Sequence, residues 1–211
     1  MQLWAAVIPI GMVLGLIFHR ISVRLAQQRS EQPLQGFLLS GRAAPLFWMV
    51  LSGAGYGSLS LTFSDGLLAA EYTLLFLVCL SITVIDYHLR KIPNPLLVVL
   101  LMSKIVFLLF RHDPMEWMMA GVGFIAGFVL FLLPSYLKIS IGGGDIKLAA
   151  VLGFYLGIFS LFQAVVVMAV GIAVLAGFLI ITKRGTLKST AAMGPFISMG
   201  AVLTVLFPIF K

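Results

Sequence analysis

Apolar residues run along this chain in long stretches, each near the ~20 residues that a transmembrane helix needs, with short polar or Gly/Pro-marked gaps between them. The pattern predicts eight spans, at about residues 3–18, 46–64, 66–85, 95–110, 115–136, 146–160, 162–182 and 191–210. The turns near Asp65 and Ser160 are the least marked of the breaks. The expected fold is an all-α, polytopic transmembrane helix bundle. It reads as a single integral membrane domain over residues 1–211, with a short basic loop at 19–45. No matched pair of broken helices points to the internal repeats of many transporters.

Composition strengthens this picture. Of the 211 residues, 61% are hydrophobic and 10% charged, whereas a soluble domain carries about a quarter charged residues to cover its surface. The solvent around most of this chain is therefore lipid. The first residues lack a basic region and a small-residue cleavage site, so no removable signal peptide is expected. Cys79 is the single cysteine and stands in an apolar run, which excludes a disulfide framework and a cysteine-based zinc site.

Net charge is +7, but the 14 Lys and Arg residues are scattered among short gaps rather than gathered into a basic patch with interleaved aromatics. That distribution argues against nucleic acid as a partner and instead reports orientation. Arg20, Arg24, Arg29, Arg42, Arg90, Lys91, Lys138, Lys147, Lys183, Arg184 and Lys188 fall in alternate gaps, eleven on one side. Arg111 and Lys211 are the two on the other side, and Lys104 lies within a span. By the positive-inside rule the eleven face the cytoplasm and both chain ends face outward.

Ionisable groups at membrane level are costly and attract functional suspicion. Asp65, Asp113 and Glu116 fall in short outer turns, where water accounts for them, and Glu31 lies among arginines in the first basic loop. Glu71 is inside span three and reads as a residue that snorkels outward or bonds a neighbouring helix. It is about 22 Å from Asp86 along one helix axis, so those two acids do not share a site.

Asp86 and Asp145 differ from the others in their local sequence. Asp86 is followed by Tyr87-His88-Leu89-Arg90-Lys91-Ile92-Pro93-Asn94-Pro95, whose prolines disfavour continuous helix. Asp145 follows Gly142-Gly143-Gly144, glycines that permit positive φ and close backbone approach. They deliver the acid to the start of a helix, where the partial positive end favours anions. Each motif alone also fits an ordinary cap or turn. What joins them is that both acids face the same membrane side, where two carboxylates can share a proton and activate water.

Ile85-Asp86 followed by Lys91-Ile92-Pro93-Asn94 resembles the first aspartate motif of the type IV prepilin peptidases. Gly142-Gly143-Gly144-Asp145-Ile146-Lys147-Leu148 resembles their second, the G-x-G-D-x-K signature of the G-x-G-D membrane aspartic proteases. Gly194-Pro195-Phe196 resembles the family's Gly-Pro-Phe element, and Gly15, Arg24 and Leu25 resemble its amino-terminal end more loosely. The main similarity covers about residues 66–210.

The resemblance implies an aspartic endopeptidase with Asp86 and Asp145 catalytic and Gly142, Gly144, Lys147, Pro93 and Asn94 supporting. It implies a multi-pass protein of the bacterial inner membrane, in contact with lipid, whose site faces the cytoplasm. The substrates would be prepilins or pseudopilins of type IV pili or type II secretion, and the cleavage itself needs no cofactor and no metal. Many relatives carry two Cys-x-x-Cys pairs in the first cytoplasmic loop, and residues 19–45 here hold no cysteine. No motif for S-adenosylmethionine stands out, so N-methylation of the product is not expected. Two other classes fit the bare pattern: a non-proteolytic small transporter or channel using the glycine breaks and two acids for cations, and a structural subunit whose aspartates are helix caps.

The charge distribution generates a first prediction. Reporter fusions after residues 90 and 183 are expected to give cytoplasmic signals, and a fusion at residue 112 a signal from the opposite side. An external signal from the 86–94 turn would overturn the assigned orientation.

Overall fold

The computed structural model describes residues 2–30, 36–136, 142–182 and 192–209. Glu31, Lys138, the cationic residues of 183–190 and Lys211 lie outside the described residues. The chain forms two compact units, Met1–Arg111 and His112–Lys211. All secondary structure among the described residues is helical, as the apolar pattern predicts.

The first unit holds α1 (Gln2–Gln27), α2 (Ala44–Thr62), α3 (Gly66–Leu89) and α4 (Asn94–Arg111). Asp65 caps α3 by accepting a hydrogen bond from the Leu67 N–H at 2.9 Å, the ordinary use of an aspartate at an N-cap. Helix α3 is apolar on every face and touches α1, α2 and α4. It is correspondingly the most enclosed of the five helices long enough to cross a bilayer, with 61% of its most apolar stretch buried, as expected of a helix with no polar side.

Helix α1 runs well past the expected span end at residue 18, so the expected loop at 19–45 begins as helix. The charges at Arg20 and Arg24 set the depth at which lipid can follow the chain, but helical hydrogen bonds do not require lipid. His19, Ser22 and Ala26 continue the buried face while Arg20, Arg24 and Gln27 stay exposed.

The second unit holds α5 (Pro114–Tyr136), α6 (Gly143–Ile181) and α7 (Gly194–Leu206). Asp113 caps α5, accepting from the Met115 N–H at 2.9 Å. The 39 residues of α6 are two helices joined at Gly157, where φ is 76° and ψ 171°. A Cβ on Gly153 would lie 3.2 Å from Leu161 Cδ2, although eight residues of straight helix span about 12 Å. The chain therefore doubles back, and we name the halves α6a (143–156) and α6b (158–181). The expected break at Ser160 moves to Gly157, the one glycine with positive φ among the described residues, a backbone state that costs glycine little. Helical segments thus stand at all eight expected positions. Length and composition qualify α1, α3, α4, α5 and α6 to cross a bilayer. Helix α7, at 13 residues, is shorter than expected, and glycines and serines dilute the apolar character of α2.

Helices α5 and α6a meet at backbone distance. A Cβ built on Gly123 would stand 2.2 Å from the Gly153 carbonyl oxygen, and one on Gly153 would stand 2.1 Å from that of Gly123. Gly127 meets the Ala149 carbonyl in the same way at 2.3 Å. Glycines four residues apart on α5 thus form the small-residue seam by which membrane helices approach closely. Gly153→Ala is expected to destabilise the protein by about 1–3 kcal/mol, read as a lower Tm in detergent. Gly121→Ala, with nothing within 4 Å of the new methyl, is the control expected to be neutral or slightly stabilising. An unchanged Tm for Gly153→Ala would contradict the backbone seam.

Candidate active site

Asp86 occupies the last turn of α3 and is 5% exposed. The helix ends within a turn of it, closer than the two turns that the prolines suggest, because Arg90 adopts the left-handed conformation at φ 51°. The Arg90 N–H donates to the Asp86 carbonyl at 2.8 Å and closes the helix. Lys91, Ile92 and Pro93 are then non-helical, and α4 starts at Asn94. Pro93 is buried and its carbonyl accepts from the Leu96 N–H at 3.1 Å, while Asn94 is exposed. Pro93 thus precedes α4 and Asn94 opens it.

The connection from α1 returns to this end of α3. His88 Nδ1 and the Val84 carbonyl are 2.8 Å apart, which turns Nε2 toward Gly36. A Cβ on Gly36 would lie 2.1 Å from that nitrogen. The turn at 36–41 is held by the Gly36 N–H donating to Ser40 Oγ at 3.2 Å, and Trp48 Nε1 donates to the Leu38 carbonyl at 3.0 Å. The cysteine-free segment is thereby anchored two residues beyond Asp86.

Asp145 lies half-buried in the first turn of α6a. Its N–H donates to the Gly142 carbonyl at 3.0 Å, so the acid stands where the helix end is positive. Positive φ is not what these glycines supply: Gly142 has φ −63° and ψ 137°, and Gly143 and Gly144 are helical. Gly142 supplies room. A Cβ there would lie 2.9 Å from Asp145 Oδ2, whereas one on Gly143 would meet nothing within 4 Å. Lys147 is exposed and, two residues on, is turned about 200° around the helix from Asp145. Pro195 opens α7 just after Gly194, with the Phe196 N–H donating to the Met193 carbonyl at 3.0 Å.

Sequence reasoning left Glu71 without a partner, and the structure supplies two. Glu71 is fully buried, and its Oε1 accepts from Lys104 Nζ at 2.8 Å. Its Oε2 accepts from Arg111, a residue counted above among the outer charges. The available signal was three ionisable groups in apolar runs with the two cations seven residues apart, hence on one face of α4. No cluster of three or more potential metal ligands occurs among the described residues.

The model of the type IV leader peptidase family matches residues 73–182, just over half of the chain, and takes in both Asp86 and Asp145. The chain belongs to this family. A curated relative, the prepilin leader peptidase/N-methyltransferase of Bacillus subtilis (strain 168), is 31% identical over 128 residues. The match covers 60% of this chain and 51% of that relative, so the chain spans about half the relative's length. No solved structure matches.

The room at Gly142 makes a prediction, read as turnover in the peptidase activity proposed below. Gly142→Ala is backbone-compatible but crowds the Asp145 carboxylate; on the role proposed below for Asp145, displacement by a fraction of an ångström is expected to cost about tenfold or more. Gly143→Ala is expected to be near wild type. Equal turnover of the two variants would remove the role assigned to that space.

Proposed function

We propose that this protein is a membrane-embedded aspartic endopeptidase that removes the leader of type IV prepilins or pseudopilins, with Asp86 and Asp145 as its two catalytic carboxylates. The observation that carries this reading is family membership whose matched region contains both acids, each in a stretch that resembles a family motif. Placement of each acid within a turn of a helix end supports it, since such ends lie toward water rather than at mid-bilayer.

The reaction needs one ionised and one protonated carboxyl, the division that two acids sharing a site adopt. The ionised group takes a proton from water as the water oxygen attacks the scissile carbonyl carbon. The protonated group hydrogen-bonds the carbonyl oxygen, and the departing amine is protonated as the C–N bond breaks. Gly142 leaves space for the Asp145 carboxylate and Gly144 allows close backbone approach, while Pro93 and Asn94 keep the α3–α4 connection non-helical beyond Asp86. Lys147 serves as a cytoplasmic anchor. In the substrate, the scissile bond must leave its helix, because a helical carbonyl is engaged in the i to i−4 ladder and shielded by its neighbours.

The site faces the cytoplasm of the bacterial inner membrane, where a substrate with a soluble leader and an apolar helix presents the junction between them. The relative's printed name includes N-methyltransferase; for this chain, with no cysteine between residues 19 and 45, cleavage without methylation is the proposed reaction.

The test is cleavage of a prepilin in detergent or liposomes, read by mass spectrometry. Asp86→Asn and Asp145→Asn are each expected to reduce turnover by at least about a thousandfold while the protein stays folded, because the amide keeps size but cannot act as the base. Asp65→Asn is expected to be silent, since asparagine caps a helix as well as aspartate does. Near wild-type turnover by either catalytic variant would refute the two-acid mechanism, and a methylated product would refute the proposal of cleavage alone.

A further inference from the structure

Glu71, Lys104 and Arg111 form an enclosed cluster of charges in the first unit, with side chains 0%, 9% and 18% exposed. Their arrangement is directional. Lys104 and Arg111 are seven residues apart on α4, which is two turns and about 10.5 Å of rise on one face. Glu71 on α3 receives one cation on each oxygen, so its carboxylate is tied to two points of α4 that lie two turns apart. A slip of α3 along α4 by one turn, about 5.4 Å, would change both distances at once and strain or break these bonds.

The rest of the α4 face supplies little register. Leu96, Leu100 and Leu108 are buried on the same stripe as Lys104, and such repeated leucines accept a shifted set of apolar partners at small cost. In lipid no hydrophobic force separates one apolar register from another. A buried ion pair is also weak evidence for stability, because apolar residues of similar volume often replace it without loss, whereas fixing register is its best-attested use.

We propose that Glu71, Lys104 and Arg111 are positioning residues: a charge latch that sets the axial register of α3 against α4 and thereby the depth of Asp86. Helix α3 is continuous from Glu71 to Asp86 and transmits that setting as a rigid rod over about 22 Å. The latch rests on the reading of Asp86 as catalytic for its effect on turnover, but not for its effect on register.

Both are measurable separately. In a Cys79→Ser background, cysteines placed singly at Leu75 or Ile82 of α3 are paired in turn with cysteines at Leu97, Leu100 or Leu108 of α4, and disulfide formation maps the register. The intact latch is expected to give one sharp set of crosslinks. The apolar variant Glu71→Leu/Lys104→Met/Arg111→Met is expected to remain folded, with its crosslinks shifted or spread by three to four residues. Its kcat on a prepilin is expected to fall about tenfold or more at a KM within about twofold, a split that simple loss of folded protein does not produce. A second variant, Glu71→Gln/Lys104→Gln, keeps hydrogen bonding without the ion pair and is expected to broaden the crosslinks less. Wild-type crosslinks in both folded variants would overturn the latch, as would failure of both to fold, which would assign the groups to folding itself. Shifted crosslinks with unchanged kcat would overturn the link to Asp86. A wild-type chain with no activity on prepilins would instead count against the proposed function and leave the crosslink result to judge the latch alone.

Discussion

Membrane helices have no water to hide from, so close backbone approach and a few buried polar contacts hold them together in place of a hydrophobic core. Everything else in this fold follows from where small residues permit that approach. Gly123 and Gly153 place their backbones so near one another that neither tolerates a methyl group, and Gly127 repeats the contact one turn on. Gly200 on α7 meets the Ala164 carbonyl on α6b, where a Cβ would stand 2.3 Å away. In the first unit Gly15 on α1 does the same against Trp48 and Ser52 of α2. Helices held this way cannot slide without collision, so the residues at their ends are fixed in depth. The α3–α4 pair lacks such a seam among its buried residues and carries the buried charges instead.

The two aspartates reach their helix ends by opposite routes. Asp86 closes the most enclosed helix of the first unit, in a C-terminal turn stopped by a left-handed arginine. Asp145 opens a short helix in the second unit, half-exposed, with glycine clearing the space beside its carboxylate. The dipole of α6a favours a negative charge at Asp145, whereas the C-terminal turn of α3 offers Asp86 no such support.

Much of this was legible in the sequence because it depends on local chain chemistry. Apolar length located all eight helical segments and both acid motifs fell at helix ends as read, whereas Asp65 and Asp113, read only as solvated turn residues, prove to be helix caps. What was not legible depended on partners distant in sequence. Glu71 could be recognised as costly, but its cations lie 33 and 40 residues away, and no local rule connects them. The glycines before Asp145 were legible as important for the freedom of positive φ and for close approach; positive φ is not used, and Gly142 instead gives room beside the carboxylate. The freedom was needed at Gly157, where the reversal of α6 is so tight that no polar loop residues mark it.

That tightness constrains depth. Helix α6a has about 14 residues and a length of about 21 Å, less than the ~30 Å of hydrocarbon in a bilayer, so both of its ends cannot reach water. The two ends differ in chemistry. One carries Gly142, Asp145 and Lys147; the other, around Gly157, is flanked by Leu156, Ile158 and the exposed Phe159 and Phe162. No Asp, Glu, Lys or Arg occurs anywhere from residue 148 to residue 182. Submerging the apolar reversal exposes phenylalanines to lipid at no cost, while submerging the other end buries a carboxylate and an ammonium at a cost of several kcal/mol. The shortfall in length therefore falls at the reversal, and it is the contrast between the two ends, rather than the length of α6a, that favours Asp145 at the level of water.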